Sequence, residues 1–249
     1  MENKSMFPTE EVTLPSKGLI YPPENPLSKG VVEMKYMTAK EEDILTNESY
    51  IKKGTVIDRL LQALIITPIN YDDLVVGDKN AIMIAARVLG YGKDYTFTFD
   101  EEEHTVDLTE VEDKELKEED LFAKGRNEFE FNLPTTKKII TFKLLTHGDE
   151  KKINAEMAGL KKAKQSPSEL TTRLKYMILS VDGDSERKTI REFVDTQLLA
   201  RDARALREYI KQIQPDVDLI FDLEMENGDV KEGVKVPIGV TFFWPDFGV

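Results

Sequence analysis

Cysteine is absent from this 249-residue chain, so disulfides, thiolate catalysis and thiolate-ligated metals are excluded. Histidine, the usual proton shuttle and metal ligand, occurs only as His104 and His147, and neither stands in a ligand pattern. Both read as structural or solvent-exposed, because catalytic geometry needs partners that spacing does not reveal here. No apolar run approaches the roughly 20 residues of a membrane span. The opening MENKSMFPTEEV lacks a basic region followed by an apolar core, so a soluble, unsecreted protein is expected. Positive charge is also short, with a formal net charge of −13. The window Glu101 to Asp120 holds eleven acidic residues against Lys114 and Lys117, a local −9. A chain so acidic is a poor default nucleic-acid binder, since phosphate binding rests on Lys and Arg.

Motifs of common chemistry are missing as well. No GxSxG elbow, SxxK, GxxxxGK[ST] or GxGxxG is present. Asp182-Gly-Asp184-Ser-Glu186 imitates the start of an EF-hand loop, but Arg187 stands where glycine is needed and Phe193 where the bidentate Glu belongs. An interhelical turn with a capping Asp or Ser is the better reading. No catalytic, cofactor-binding or metal residue is assigned, and no cofactor is expected.

What is present is clear local patterning. Residues 1 to about 30 carry TLPSKGLIYPPENPLSKG, whose prolines and glycines predict an extended arm with turns and no regular helix or strand. Its apolar members Leu14, Leu19, Ile20, Tyr21 and Leu27 should lie against a surface, either its own domain or a partner's. Val31 to Met37 alternates as a strand, and Thr38 to Glu41 forms a capping box for a helix fading by Asn47. Gly54 and Thr55 open a helix apolar on more than one face, ended by Pro68. Asp78 is the expected N-cap of a third helix, Lys79 to Leu89, with Gly90 at its C′ position.

Tyr95 to Phe99 and His104 to Leu108 should pair across an acidic turn, followed by a solvated charge run or a docking surface for a basic partner. Phe129 to Phe131 and Ile139 to Leu145 read as strands. Asp149 should cap a helix through Lys164, and Ser166 to Glu169 should open another that carries Leu170, Leu174, Met177, Ile178 and Val181 on one stripe. One kinked helix or two should span Glu186 to Ile213, with arginines paired to Glu192 and Asp195. Leu219 to Met225 and Val234 to Phe243 read as strands about the turn at Asn227-Gly228. The predicted class is α+β: an N-terminal arm and small helical unit with β-hairpins over 1–100, an acidic connector over 101–126, and a mixed helical and antiparallel-strand half over 127–249.

In their order, LPSKGLIYPP, EEDILTN, KKGTVIDRLL, GDKNAIMIAARVLGYGKDY and the closing VPIGVTFFWPDF resemble the baseplate hub and hub assembly proteins of T4-type tailed phages. The resemblance touches both ends of the chain and is loose from about Glu101 to Leu145. It implies a non-enzymatic, chaperone-like assembly factor for the central hub of a contractile tail baseplate. Such a factor binds other hub proteins in the host cytoplasm. The alternative it leaves open is a structural hub subunit retained in the virion. Some relatives carry cysteine pairs at hairpins like those after Phe99 and Met225, where this chain reads Asp-Glu-Glu-Glu and Glu-Asn-Gly-Asp. If those pairs clamp zinc, this member has lost the metal and holds its hairpins by packing. Tyr21, Phe242, Phe243, Trp244 and Phe247 are the candidate partner-binding residues, with burial of the closing aromatics in the core as the competing role.

Overall fold

Within the proline-rich opening, Thr9 to Thr13 is more regular than the composition predicts. In the computed structural model, which describes residues 8–116, 124–164, 166, 168–238 and 242–244, β1 (Thr9–Thr13) pairs antiparallel with β2 (Val31–Lys35). No proline falls within this strand, Pro8 standing just before it and the others after, so none removes a ladder N–H from it. The connecting segment folds back by turns and a short 3-10 helix at Pro26–Lys29. Gly18 (φ 74°) and Gly30 (φ 71°) allow the two passes to touch, since a Cβ on Gly18 would stand 2.4 Å from the Ser28 carbonyl oxygen. Leu14, Ile20, Tyr21 and Leu27 are buried in the chain's own core.

The capping box forms as expected. The Thr38 N–H and hydroxyl both donate to the Glu41 carboxylate, at 3.0 and 2.6 Å, and α1 (Ala39–Leu45) follows. An additional short helix, α2 (Glu48–Lys52), is capped by Asn47, and α3 (Val56–Leu64) is one-faced rather than apolar all round. Val56, Leu60, Leu61 and Leu64 face inward while Arg59 and Gln62 are exposed. Next, α4 runs Val76–Tyr91, longer at both ends than predicted. Asp78 lies inside its first turn instead of capping it, and Gly90 is helical, the cap falling to Gly92 at φ 83°. A tertiary demand on Asp78, described below, overrides its capping preference.

The hairpin β3 (Asp94–Phe99) and β4 (Glu102–Asp107) pairs in the expected sense around Asp100 and Glu101, both at positive φ. The described part of the acidic run, up to Leu116, is not a free connector. Its β5 (Glu112–Asp113) pairs with β9 (Val217–Asp218), over a hundred residues later. Three strands, β6 (Phe129–Asn132), β7 (Ile139–Phe142) and β8 (Ile178–Val181), form an antiparallel sheet in that order. Residues 178 and 181 therefore belong to a strand, while Leu170 is largely exposed, so the predicted five-residue helical stripe does not exist.

Thr146, not Asp149, is the N-cap of α5 (His147–Lys162), with Asp149 as its capping-box partner. The next helix, α6 (Glu169–Met177), starts after Ser168; Pro167, the expected first helical residue, lies outside the described residues. The two-helix alternative holds for α7 (Arg187–Thr196) and α8 (Ala200–Ile213). Among their charges, Arg191 of α7 pairs across to Glu156 at 3.1 Å, Asp195 accepts Lys175 of α6 at 2.6 Å, and Arg204 to Glu208 is an intrahelical pair. The final hairpin is β10 (Ile220–Glu224) with β11 (Val230–Lys235), ending well before the predicted Phe243.

One hydrophobic cluster runs from Leu14 to Phe243. The proposed boundaries near 100 and 127 are thus crossed by core contacts, and also by the hydrogen bond from the Asn80 side-chain N–H to Asp216 Oδ1 at 2.9 Å. A second long-range tie is Asp202, fully buried on α8. Its carboxylate accepts from the backbone N–H of Thr135 and Thr136 and from the Thr136 hydroxyl, at 2.7 to 3.0 Å. Burial pushes the Asp202 carboxyl up, but these donors outweigh it and hold it below the ordinary value. Asp202→Ala should cost about 2 to 3 kcal/mol, the penalty for stranding buried donors, read by urea unfolding at neutral pH. The lowered pKa means that this contribution is present above the unfolded carboxylate value and fades as pH falls below it. The difference between wild type and variant should therefore shrink toward the acid limit.

Candidate protein-binding groove

Along α4 a row of apolar side chains, Ala81, Ile84, Ala85, Val88 and Leu89, is spaced i, i+3, i+4, i+7 and i+8; Ala81 and Ile84 are buried and the other three half-buried. This row is the floor of an open groove of about 390 Å³. One wall is the strand Glu10, Glu11, Val12 and Thr13, with Tyr36 beside it. The other is the turn after β4, through Leu108, Thr109, Val111 and Asp113, closed by Val217. Successive side chains of a strand point to opposite faces, so four consecutive residues lining one groove mean that the backbone edge of β1 borders it. That edge has no ladder partner among the described residues, because β1 pairs only with β2.

The charges in the lining are of one sign. Glu10, Glu11 and Asp113 supply carboxylates, and no Lys, Arg or His is among the lining residues. Glu10 accepts the Tyr36 hydroxyl at 3.0 Å. Asp113 is exposed at the surface; desolvation by its neighbours still pushes its carboxyl up, partly offset by Lys17. Such a lining combines apolar surface with negative charge.

The buried polar groups elsewhere serve the fold. Asp78, with no exposed surface, accepts from the Ser16 N–H at 2.9 Å, the Ser16 hydroxyl at 2.7 Å and the Tyr21 hydroxyl at 2.6 Å. Tyr21 in turn accepts the Val75 N–H at 3.1 Å. Burial of the ring, then the neighbouring Asp78, push the Tyr21 hydroxyl far above its ordinary value. Its side chain thus fastens the arm to α4 and is not offered to a partner. His147 is buried edge-on against Tyr71 at 4.7 Å, beside Lys79 and Asp58, which form a 2.6 Å ion pair. Burial, then Lys79, lower its pKa, so it stays neutral at pH 7 and knits together α3, α4 and α5. His104 is buried between Phe97 and Phe99, and its Nε2 has no hydrogen-bond partner among the described residues. Asp182 accepts from Lys138 and the Ile139 N–H across the sheet, and Asp184 from the Glu186 N–H within the turn; this turn joins β8 to α7, so it is not interhelical, and neither Asp nor Ser caps α7. Among the described residues no three His, Asp or Glu side chains are placed to share a metal ion.

The closing aromatics also point inward. Phe242 and Phe243 are fully buried, Phe242 lying edge-on to Tyr95 at 5.1 Å. Strong burial of rings explains why they pack as core rather than as exposed anchors. Trp244 is half-buried and its indole N–H donates to the Leu45 carbonyl at 3.1 Å. Phe247 lies outside the described residues. Of the predicted interaction residues, the tail brings together 242 to 244, while Tyr21 sits apart on α4. The hairpins whose turns follow Phe99 and Met225 meet: the Glu226 N–H donates to Glu102 Oε2 at 2.8 Å. A hydrogen bond therefore joins them, in addition to packing. No helix among the described residues is long and apolar enough to cross a membrane. Comparison with protein-family models, curated proteins and solved structures finds no match for this chain.

Proposed function

We propose that this protein is a non-enzymatic assembly factor for the central hub of a contractile phage tail baseplate, acting by protein–protein binding in the host cytoplasm. The sequence resemblance supplies the context, and one structural observation supports the mode of action. That observation is the open apolar groove along α4, lined by carboxylates and by an unpaired strand edge. An unpaired strand edge beside an apolar floor is a surface on which an extended partner segment can dock.

The reading is tested with purified components. Hub subunits isolated from infected cells should bind the full chain stoichiometrically, and mass spectrometry of purified virions should find the chain missing. A stoichiometric virion signal would make it a structural hub subunit. Failure of every hub subunit to bind would end the hub assignment.

A further inference from the structure

We infer that the groove takes an extended segment of a partner protein, alternating apolar and basic residues, which adds as a third strand to the free edge of β1. The inference rests on the protein-binding reading and gives that surface a specific occupant.

Three observations converge on this chemistry. First, the edge of β1 that borders the groove is unpaired, whereas β2 on the other side is further bridged by Met34 to Ile65 and by the Ile66 N–H donating to the Glu33 carbonyl at 2.8 Å. Exposed strand edges are templates for a further strand, with main-chain hydrogen bonds supplying affinity and pockets for alternate side chains supplying specificity. Second, a strand laid there points every other side chain down onto Ile84, Val88 and Leu89, an apolar floor flanked by Leu108 and Val111. Third, carboxylates flank the added strand on both faces, Glu10 and Glu11 from opposite faces of β1 and Asp113 from the far wall, with no basic residue among the lining residues. Opposite charge on the occupant satisfies these groups and steers its approach, and like charge is rejected. A helix would leave the strand edge unpaired, and an acidic segment would meet three carboxylates.

The groove sits over α4, which is anchored from below by Asp78 to Ser16 and Tyr21, so it is held rigid before anything binds. Preformed geometry lowers the ordering cost of association. Ala85, half-buried at mid-floor, is the point at which a large side chain would fill the space.

The probe is a blocked octapeptide alternating lysine and valine, titrated into the ¹⁵N-labelled full chain, with a glutamate–valine peptide as control. Saturable amide shifts are expected in Thr9–Thr13 and Val76–Tyr91 and around Leu108 to Asp113, from the lysine peptide alone. Ala85→Trp should abolish them. Glu11→Lys with Asp113→Lys should weaken binding about 10-fold or more and flatten its salt dependence. If Ala85→Trp fails to fold, the charge-reversed surface variant carries the test.

Absent shifts, shifts scattered over the acidic surface, or equal binding of the glutamate peptide would overturn the inference. So would a self-dimer, seen by sedimentation, that Ala85→Trp dissociates, because the groove would then belong to a second copy. The hub reading fails separately, if wild-type chain binds no hub subunit while the peptide still occupies the groove.

Discussion

Gly77→Ala is expected to destabilise this protein by about 3 kcal/mol or more, at or beyond the upper end of ordinary overpacking. A Cβ at Gly77 would sit 1.8 Å from the Pro215 carbonyl oxygen and 2.5 Å from its carbon. Both are backbone atoms and neither can swing aside. On one side α4 is fixed by Asp78, and on the other the 215–218 segment is fixed by Asn80 to Asp216 and by the pairing of β5 with β9. A fall in thermal midpoint of about 10 °C follows for a chain of this size, measured by calorimetry. Gly159→Ala is the matched control. Gly159 lies in α5 with no atom within 4 Å of the added carbon. There the substitution should stabilise by about 0.5 to 1 kcal/mol through helix propensity. An unchanged midpoint for Gly77→Ala would show that α4 and the 215–218 segment are not in contact.

The second large effect centres on Asp78. Asp78→Ala strands the Ser16 N–H, the Ser16 hydroxyl and the Tyr21 hydroxyl in the interior, for an expected loss of about 3 to 4 kcal/mol. Asp78→Asn isolates the charge. Burial pushes the Asp78 carboxyl up to about 6 from 3.8, against the donated hydrogen bonds of Tyr21 and Ser16. Between those values the folded chain binds a proton that the unfolded chain does not, so wild-type stability from this group falls as pH rises. Across that window the fall is about 3 kcal/mol, which Asp78→Asn removes. The stability of wild type relative to Asp78→Asn should therefore fall by about 3 kcal/mol between pH 4 and pH 6, read by urea unfolding across that range. A relative stability that rises with pH would contradict a raised Asp78.

What could be read from the sequence follows from the range of the forces involved. The capping box at Thr38 and Glu41 and the β3–β4 hairpin were legible because a few neighbouring residues specify them. Asp78 was misread as a cap because its partners, Ser16 and Tyr21, lie about sixty residues away. The same holds for Glu112–Asp113, whose strand exists only through Val217–Asp218. The Glu112 and Asp113 side chains are exposed, as a charge block predicts; only the strand pairing depends on the distant partner. Among the predicted interaction residues, Tyr21 and the closing phenylalanines were singled out as apolar and aromatic, properties that suit a core as well as an interface. The groove left one trace in the sequence: the Ala81, Ile84, Ala85, Val88 and Leu89 row on a helix apolar on most sides. Periodicity identifies such a row but not whether another element covers it.

Calorimetric titration of hub subunits purified from infected cells into wild-type chain and into folded Ala85→Trp tests the account most directly. The account predicts saturable binding to wild type, weakened by about 10-fold or more when the groove is filled. Equal affinity for both proteins would contradict it.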